Sequence, residues 1–297
     1  MLKELAIITI TVTNLTQVET AWKDHFSYQV KDQGTISSEM SAYLSASETE
    51  GQDYIIMQPK NDAPVYVRFI EDETVYDYTP MTSYGWNATE LLVSNPDTLA
   101  SGMDTEDSLF KVVGAPKDLW PAPNAPRAMQ VIGPGGELLY LTRNQQAAGA
   151  LGLDESMPLA ERPFIMVLGG PSMSELTEFY GGTLELLVDP PSFFKISMIS
   201  KANNLDPETT YPLSIAYAAP GYLIEMDELP EITGPRVVAK GHLPPGVAIV
   251  GFNSDGINEE VEWVSELQKR EEFPYNGRTA GIFRGPAGEL IEVILTN

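Results

Sequence analysis

An eight-residue pattern occurs twice in this chain of 297 residues, and it limits the folds open to the chain. Residues 133–140 read GPGGELLY and residues 285–292 read GPAGELIE, a spacing of 152 residues. A Gly-Pro-x-Gly turn before an apolar strand is typical of a tight hairpin, because glycine tolerates positive φ and proline presets φ. A repeat at about one domain length predicts two related halves.

One order of elements also recurs four times, as a strand, a helix and further short strands. In the first unit, a strand over 5–14 precedes a helix over 15–26 that has Asn14 as its N-cap. The second and third units have predicted helices at 96–103 and 172–180. Four units in a consistent order make the repeated turn unlikely to be a coincidence between two hairpins.

The fourth unit shows the clearest helical stripe of the chain, over 257–268. Its apolar residues recur at the spacing of one helix face. They are Ile257, Val261, Val264 and Leu267.

These patterns predict an α+β fold of four βαβββ modules, paired into two cupped and mostly antiparallel half-barrel domains. The predicted first domain covers 1–143 and the second covers 163–297. The segment 144–162 between them is small, polar and aperiodic, so it is predicted to be a linker.

Charge excludes two classes of partner. Lys and Arg total 18 and Asp and Glu total 42, so the net charge is −24. Nucleic acids and anionic membranes would repel such a chain. At 43% hydrophobic and 20% charged residues the composition is globular, which excludes wholesale disorder, collagen and coiled coil.

Composition also limits the available chemistry. There is no cysteine, so thiol catalysis, disulfides and iron–sulfur ligation are excluded. The two histidines are His25 and His242, and any metal site would need mostly carboxylates. No apolar run is long enough to span a membrane and no signal peptide is evident, so we expect a cytoplasmic protein.

Paired βαβββ units that end in G-P-x-G-x-L-I-E resemble the vicinal oxygen chelate superfamily. That group includes glyoxalase I, extradiol dioxygenases, and fosfomycin- and bleomycin-resistance proteins. The resemblance covers nearly the whole chain as four modules in two domains. It implies that two modules form a cup that holds a small ligand, on a divalent metal where one is present.

The resemblance also implies where metal ligands would stand: early on the first strand and late on the last strand of each module. The late positions are Arg68, Tyr140, Glu225 and Glu292. The early positions fall near Ile7, Ala88, Ile165 and Val247, which are all apolar. Two carboxylates without histidines would hold Mg²⁺ or Mn²⁺ only weakly, so we expect no cofactor beyond a weakly bound divalent metal.

Glu225 and Glu292 are the leading catalytic candidates. If both face the cavity of the second domain, they cannot both ionise easily, and one pKa should rise. That would leave one acid and one base near neutral pH; the alternative is that they are charges at the rim. Arg68 and Tyr140, the counterparts in the first domain, would suit an anionic or oxygenated substrate, unless Arg68 is a surface ion-pair residue.

Further candidates lie in loops and at strand edges. His242, just before the fourth unit, could act as a general base, although a solvated loop histidine is commoner. Tyr84 and Trp86 could stack on an aromatic ligand or plug the core. Tyr275 and Arg278 could line the second cavity.

The leading hypothesis is an enzyme that acts on a small aromatic or oxygenated metabolite by acid–base chemistry, as a lyase or isomerase. One alternative is a non-catalytic binding or resistance protein. Another is a divalent-metal-dependent dioxygenase or glyoxalase whose ligands lie elsewhere. The expected partner is a small-molecule substrate, and a homodimer is the candidate assembly.

Overall fold

The computed structural model describes residues 2–75, 78–144, 160–257 and 260–296, which form two mixed sheets and a few short helices. The strands are β1 (Leu2–Val12), β2 (Gln29–Thr35), β3 (Asp53–Gln58), β4 (Tyr66–Glu71), β5 (Gly85–Val93), β6 (Lys111–Asp118), β7 (Arg127–Ile132), β8 (Leu138–Arg143), β9 (Ala160–Gly170), β10 (Leu187–Val188), β11 (Ser192–Phe194), β12 (Tyr211–Ala219), β13 (Tyr222–Glu228), β14 (Gly246–Ser254), β15 (Glu262–Lys269), β16 (Thr279–Arg284) and β17 (Leu290–Leu295). The α-helices are α1 (Leu15–Phe26), α2 (Ser38–Tyr43), α3 (Pro96–Met103), α4 (Met173–Glu178) and α5 (Ser197–Ala202). None of the helices in these ranges is long and apolar enough to cross a membrane.

The strand order confirms the predicted α+β fold of four modules. The first sheet runs β15-β16-β17-β14-β1-β4-β3-β2, and the second runs β10-β12-β13-β9-β5-β8-β7-β6, with β11 on β12. Within each module the last long strand lies parallel to the first, as in β1 with β4 and β14 with β17. Two modules then join through their antiparallel first strands, β1 with β14 and β5 with β9.

The sheets do not follow the two predicted halves of the chain. The first sheet combines the first and fourth modules, and the second combines the second and third. Each module leaves one edge of its first strand unpaired, and the first strand of any other module can pair with that edge. The order of the modules in the sequence therefore does not determine which two modules share a sheet. The domain boundaries stay a prediction; β9 begins at Ala160, inside the predicted linker, and residues 145–159 lie outside the described ranges.

Two helices of the first half are confirmed in full. α1 spans Leu15–Phe26, and the Asn14 side chain accepts a hydrogen bond from the Gln17 amide. α3 spans Pro96–Met103, and Asn95 caps it in the same way. Both have the signature of an N-cap followed by an amphipathic run.

The helix predicted at 257–268 is wrong, since Glu262–Lys269 is strand β15 at the edge of the first sheet. It pairs with β16 in an interrupted register that has shifts on either side of Ser265. Such irregularities change which side chains face the sheet, so the apolar spacing imitates a helix. Residues 258 and 259 lie outside the described ranges.

The repeated turn has the same construction at both of its sites. The Glu137 carboxylate accepts hydrogen bonds from the Gly135 amide at 2.9 Å and from Trp22 Nε1 at 3.1 Å. The Glu289 carboxylate accepts them from the Ala287 amide at 2.8 Å and from the Tyr180 hydroxyl at 2.9 Å.

The bonds from Trp22 and Tyr180 each link a turn to a helical segment whose module belongs to the other sheet. Trp22 belongs to the first module and Glu137 to the second, while Tyr180 belongs to the third and Glu289 to the fourth. Burial raises the pKa of Glu137 and of Glu289 to about 7. The motif therefore ties the two sheets together by a buried carboxyl group.

Tyr180→Phe should lower the free energy of unfolding by about 1–3 kcal/mol, because it removes the hydroxyl that donates to Oε1 of the buried Glu289. The loss should be larger at about pH 8 than at about pH 5.5, because the raised pKa keeps Glu289 protonated at the lower pH. Urea denaturation at both pH values measures it. Tyr217→Phe is the matched control, since its 2.8 Å bond to Asp189 is exposed and its removal should change stability little. Equal losses in the two variants would contradict the proposed tie.

Candidate functional site

The face of the first sheet that carries the predicted late-strand positions Arg68 and Glu292 is called the first bowl. Register places Thr9 beside Arg68 in the first module and Gly251 beside Glu292 in the fourth. A Cβ at Gly251 would lie 2.9 Å from Glu292 Oε2, so the carboxylate occupies the space that a side chain would fill.

A closed hydrogen-bond network occupies the first bowl. Arg68 Nε and Nη2 donate to Thr9 Oγ1 at 3.1 and 2.8 Å, and Nη1 donates to the Tyr275 hydroxyl at 3.2 Å. The hydroxyls of Tyr275 and Tyr43 both donate to Glu292 Oε1, at 2.8 and 2.6 Å. A buried cation and a carboxylate therefore neutralise each other through a tyrosine.

Protein fills most of the first bowl. Helix α2 packs over it, and the side chains of Tyr43, Arg68, Tyr275 and Glu292 are no more than 1% exposed. A cavity of about 180 Å³ lies beside Arg68, also lined by Met40, Tyr54 and Ile56.

The second bowl is the equivalent face of the second sheet. Register places Glu90 beside Tyr140 in the second module and Val167 beside Glu225 in the third. Glu90 is 5% exposed and Tyr140 is 9% exposed, whereas Glu225 is half-buried. Asp227, two residues beyond Glu225 on the same face of β13, is 0% exposed.

Burial sets the ionisation of this acidic group. It raises the pKa of Glu90 to about 8, with a further rise from the neighbouring charge of Glu225. It raises the pKa of Glu225 to about 7. Burial and the charge of Glu225 raise the pKa of Asp227 well above its ordinary value. Burial, with the same acids, also raises the pKa of Tyr140, so its hydroxyl stays protonated at neutral pH.

Apolar walls around Glu225 remain partly accessible. Ile215 pairs with Glu225 across β12 and β13, and Leu223 precedes it by two residues on the same face. Ile215 and Leu223 are both half-buried. The second bowl is therefore partly exposed around Glu225, while helix α5 packs against the part of the same face that carries Ala88, Leu138 and Tyr140.

The structure does not bring the predicted catalytic pair together. Glu292 lies in the first bowl and Glu225 in the second, because their modules belong to different sheets. Arg68 and Tyr140 are separated for the same reason. Tyr275 joins Arg68 and Glu292 rather than lining a cavity with Glu225.

The remaining predicted residues contribute to local structure. His242 Nδ1 lies 2.9 Å from Asp72 Oδ2, outside both networks. Trp86 is 1% exposed and donates to the Leu290 carbonyl, as expected for a core plug. The Tyr84 hydroxyl donates to the Thr233 carbonyl, and Arg278 donates to the carbonyls of its own loop.

Sequence reasoning missed Glu90 and Asp227. The early position of the second module was placed at Ala88, and register shows that Glu90, two residues on and facing the same way, stands beside Tyr140. All residues of β5 are buried, and Glu90 is the charged one among them. A charged residue within an otherwise uncharged strand was the signal that could have identified it. Asp227 could have been identified because it follows Glu225 by two residues in the same strand and therefore lies on the same face of the sheet.

The divalent metal that the resemblance implies would need its ligands in one of the two bowls. In the first bowl, the Arg68 guanidinium stands beside the one carboxylate, Glu292, and would repel a second cation. In the second bowl, register pairs Glu90 with Tyr140 and Val167 with Glu225. Two of these four positions, Tyr140 and Val167, therefore carry no carboxylate or imidazole. Within the described ranges, no group of three Asp, Glu, His or Cys side chains is arranged to hold a metal ion. The donor sets do not fit such a metal.

Comparison with known proteins identifies the fold. No family profile and no curated protein matches the chain. Glyoxalase I from Zea mays matches with a TM-score of 0.64 and 11% identity, over 98% of this chain and 92% of that one. A structure from Bacillus subtilis described as a dioxygenase matches with a TM-score of 0.59 and 11% identity, over 99% of this chain and 85% of that one. Over nearly its whole length the chain therefore has the fold of these two proteins, which is the fold that the resemblance predicts.

Proposed function

We propose that the chain is an enzyme that acts on a small molecule by acid–base chemistry, as a lyase or isomerase, in the second bowl. The observation that carries this proposal is the pair Glu90 and Glu225, with pKa values raised to about 8 and about 7. Near neutral pH the pair holds one proton between its two carboxyl groups. A proton donor then stands beside a proton acceptor.

The two carboxyl groups differ in ways that suggest their roles. Glu225 is half-buried and has the lower pKa, which suits a base that meets the substrate. Glu90 is more deeply buried and has the higher pKa, which suits an acid that returns the proton. The Tyr140 hydroxyl remains a donor and can stabilise negative charge that develops on a substrate oxygen.

The walls support a substrate with an apolar or aromatic body. Ile215 and Leu223 offer partly exposed apolar surface beside Glu225, and Tyr140 adds an aromatic ring. Such surroundings weaken competition from water and keep the pKa of the acids high.

A proton-transfer assay tests the proposal. Purified protein is incubated in D₂O with mixtures of small carbon acids, and proton NMR follows loss of exchangeable C–H signals and appearance of products. Glu225→Gln should abolish any reaction that the wild type catalyses, whereas Glu292→Gln should retain it. Glu292→Gln is a matched control because the amide oxygen can still accept from Tyr43 and Tyr275. Activity that survives Glu225→Gln, or that needs Glu292, contradicts the proposal.

A further inference from the structure

Asp227 lacks hydrogen-bond donors in the second bowl. Its side chain is 0% exposed, and no group in the described ranges donates to Oδ1 or Oδ2. A buried carboxyl group without donors is costly, and native structures seldom leave one without a reason. Because Asp227 shares a face of β13 with Glu225, a ligand bound at Glu225 is also within reach of Asp227.

The described part of this face carries no basic side chain on its four central strands, β5, β8, β9 and β13. Two basic residues occur on them, Arg143 and Arg162, each an odd number of residues from Tyr140 or Val167 and so on the opposite face. Arg162 lies over the ring of Tyr222, three residues before Glu225, which confirms that orientation. Lys201, on the helix α5 that packs on this face, donates to the Val113 carbonyl at 2.7 Å.

The bowl therefore offers carboxyl groups, a tyrosine ring and apolar walls. An anionic ligand would oppose ionisation of Glu90, Glu225 and Asp227, whereas a cation would favour their ionised forms and supply the donors that Asp227 lacks. A tyrosine face also attracts cations. The net charge of −24 steers cations toward the protein and anions away.

We infer that the second bowl takes a small protonated amine with an apolar or aromatic body, whose ammonium group lies against Asp227 and Glu225. This inference rests on the proposed function in that it places the substrate in the same bowl. An ammonium group has three donors, enough to reach both carboxyl groups and the Tyr140 hydroxyl.

Three probes of similar shape and different charge test the inference: benzylamine, benzyl alcohol and benzoate. Binding is measured by ligand-observed NMR and calorimetry at fixed, physiological ionic strength. Benzylamine should bind at least about tenfold more tightly than benzyl alcohol, and benzoate should not bind. Asp227→Asn and Glu225→Gln should each weaken benzylamine by about tenfold or more and leave benzyl alcohol unchanged. Glu231→Gln, an exposed carboxylate with the same change in charge, is the matched control and should leave benzylamine unchanged.

Three results would overturn the inference. They are benzoate binding as tightly as benzylamine, benzylamine binding that Asp227→Asn and Glu225→Gln leave intact, and Mn²⁺ binding that depends on Asp227 while benzylamine does not bind. The comparison of probes on the wild-type protein decides the matter even if a variant fails to fold. Turnover of an anionic substrate that depends on Glu225 would overturn this inference and leave the proposed function standing.

Discussion

Replacing Glu90 by glutamine should lower kcat/KM by about 10²-fold or more and remove one limb of the pH profile. In the wild type, we expect a bell-shaped profile with its maximum between about pH 7 and about pH 8, because Glu225 must be ionised and Glu90 must be protonated. The two limbs belong to the interacting pair rather than to either residue alone. In Glu90→Gln the residual activity should rise with pH and then stay level, since the acid that titrates at higher pH is gone.

The measurement is kcat/KM across the neutral range for the substrate found by the D₂O assay, for wild type and variant. Glu137→Gln is an informative control, because that glutamate also has a pKa of about 7 but holds a turn outside the second bowl. Its profile should match that of the wild type. A profile that keeps both limbs in Glu90→Gln would show that another group is the acid.

Local sequence signals predict the modules well. Asn14 and Asn95 mark the starts of α1 and α3, and the two Gly-Pro-x-Gly turns mark homologous hairpins. Arg68, Tyr140, Glu225 and Glu292 each lie on a strand that runs parallel to the first strand of the same module. These features depend on residues close together in sequence.

What failed depends on contacts distant in sequence. The pairing of β1 with β14 and of β5 with β9 is a choice among similar strand edges, and the sequence patterns do not distinguish them. The choice decides which carboxyl groups meet, so Glu225 meets Glu90 instead of Glu292. Strand β15 likewise forms because it pairs with β16 at the edge of the first sheet. The apolar spacing within β15 itself gives no sign of that pairing.

Replacing Arg68 by methionine should lower the free energy of unfolding by about 3 kcal/mol or more. The side chain is 1% exposed, and its guanidinium bonds to Thr9 and Tyr275 and lies in the field of Glu292. Without it, Glu292 is a buried carboxyl group with no cation nearby, and Oε2 already has no hydrogen-bond partner. Breaking one side of a buried charge pair costs more than replacing both sides.

The double variant Arg68→Met with Glu292→Gln distinguishes this cause from lost packing. It should be more stable than Arg68→Met alone, because the uncompensated charge is gone and both tyrosines keep an acceptor. Arg127→Met is the surface control: its ion pairs with Asp97 and Asp118 are exposed, so its loss should be small. Denaturant titration of wild type, Arg68→Met, Glu292→Gln and the double variant gives the coupling, and activity in the second bowl should survive in each that folds. If the double variant is less stable than Arg68→Met, the first bowl is held by packing and not by neutralised charge.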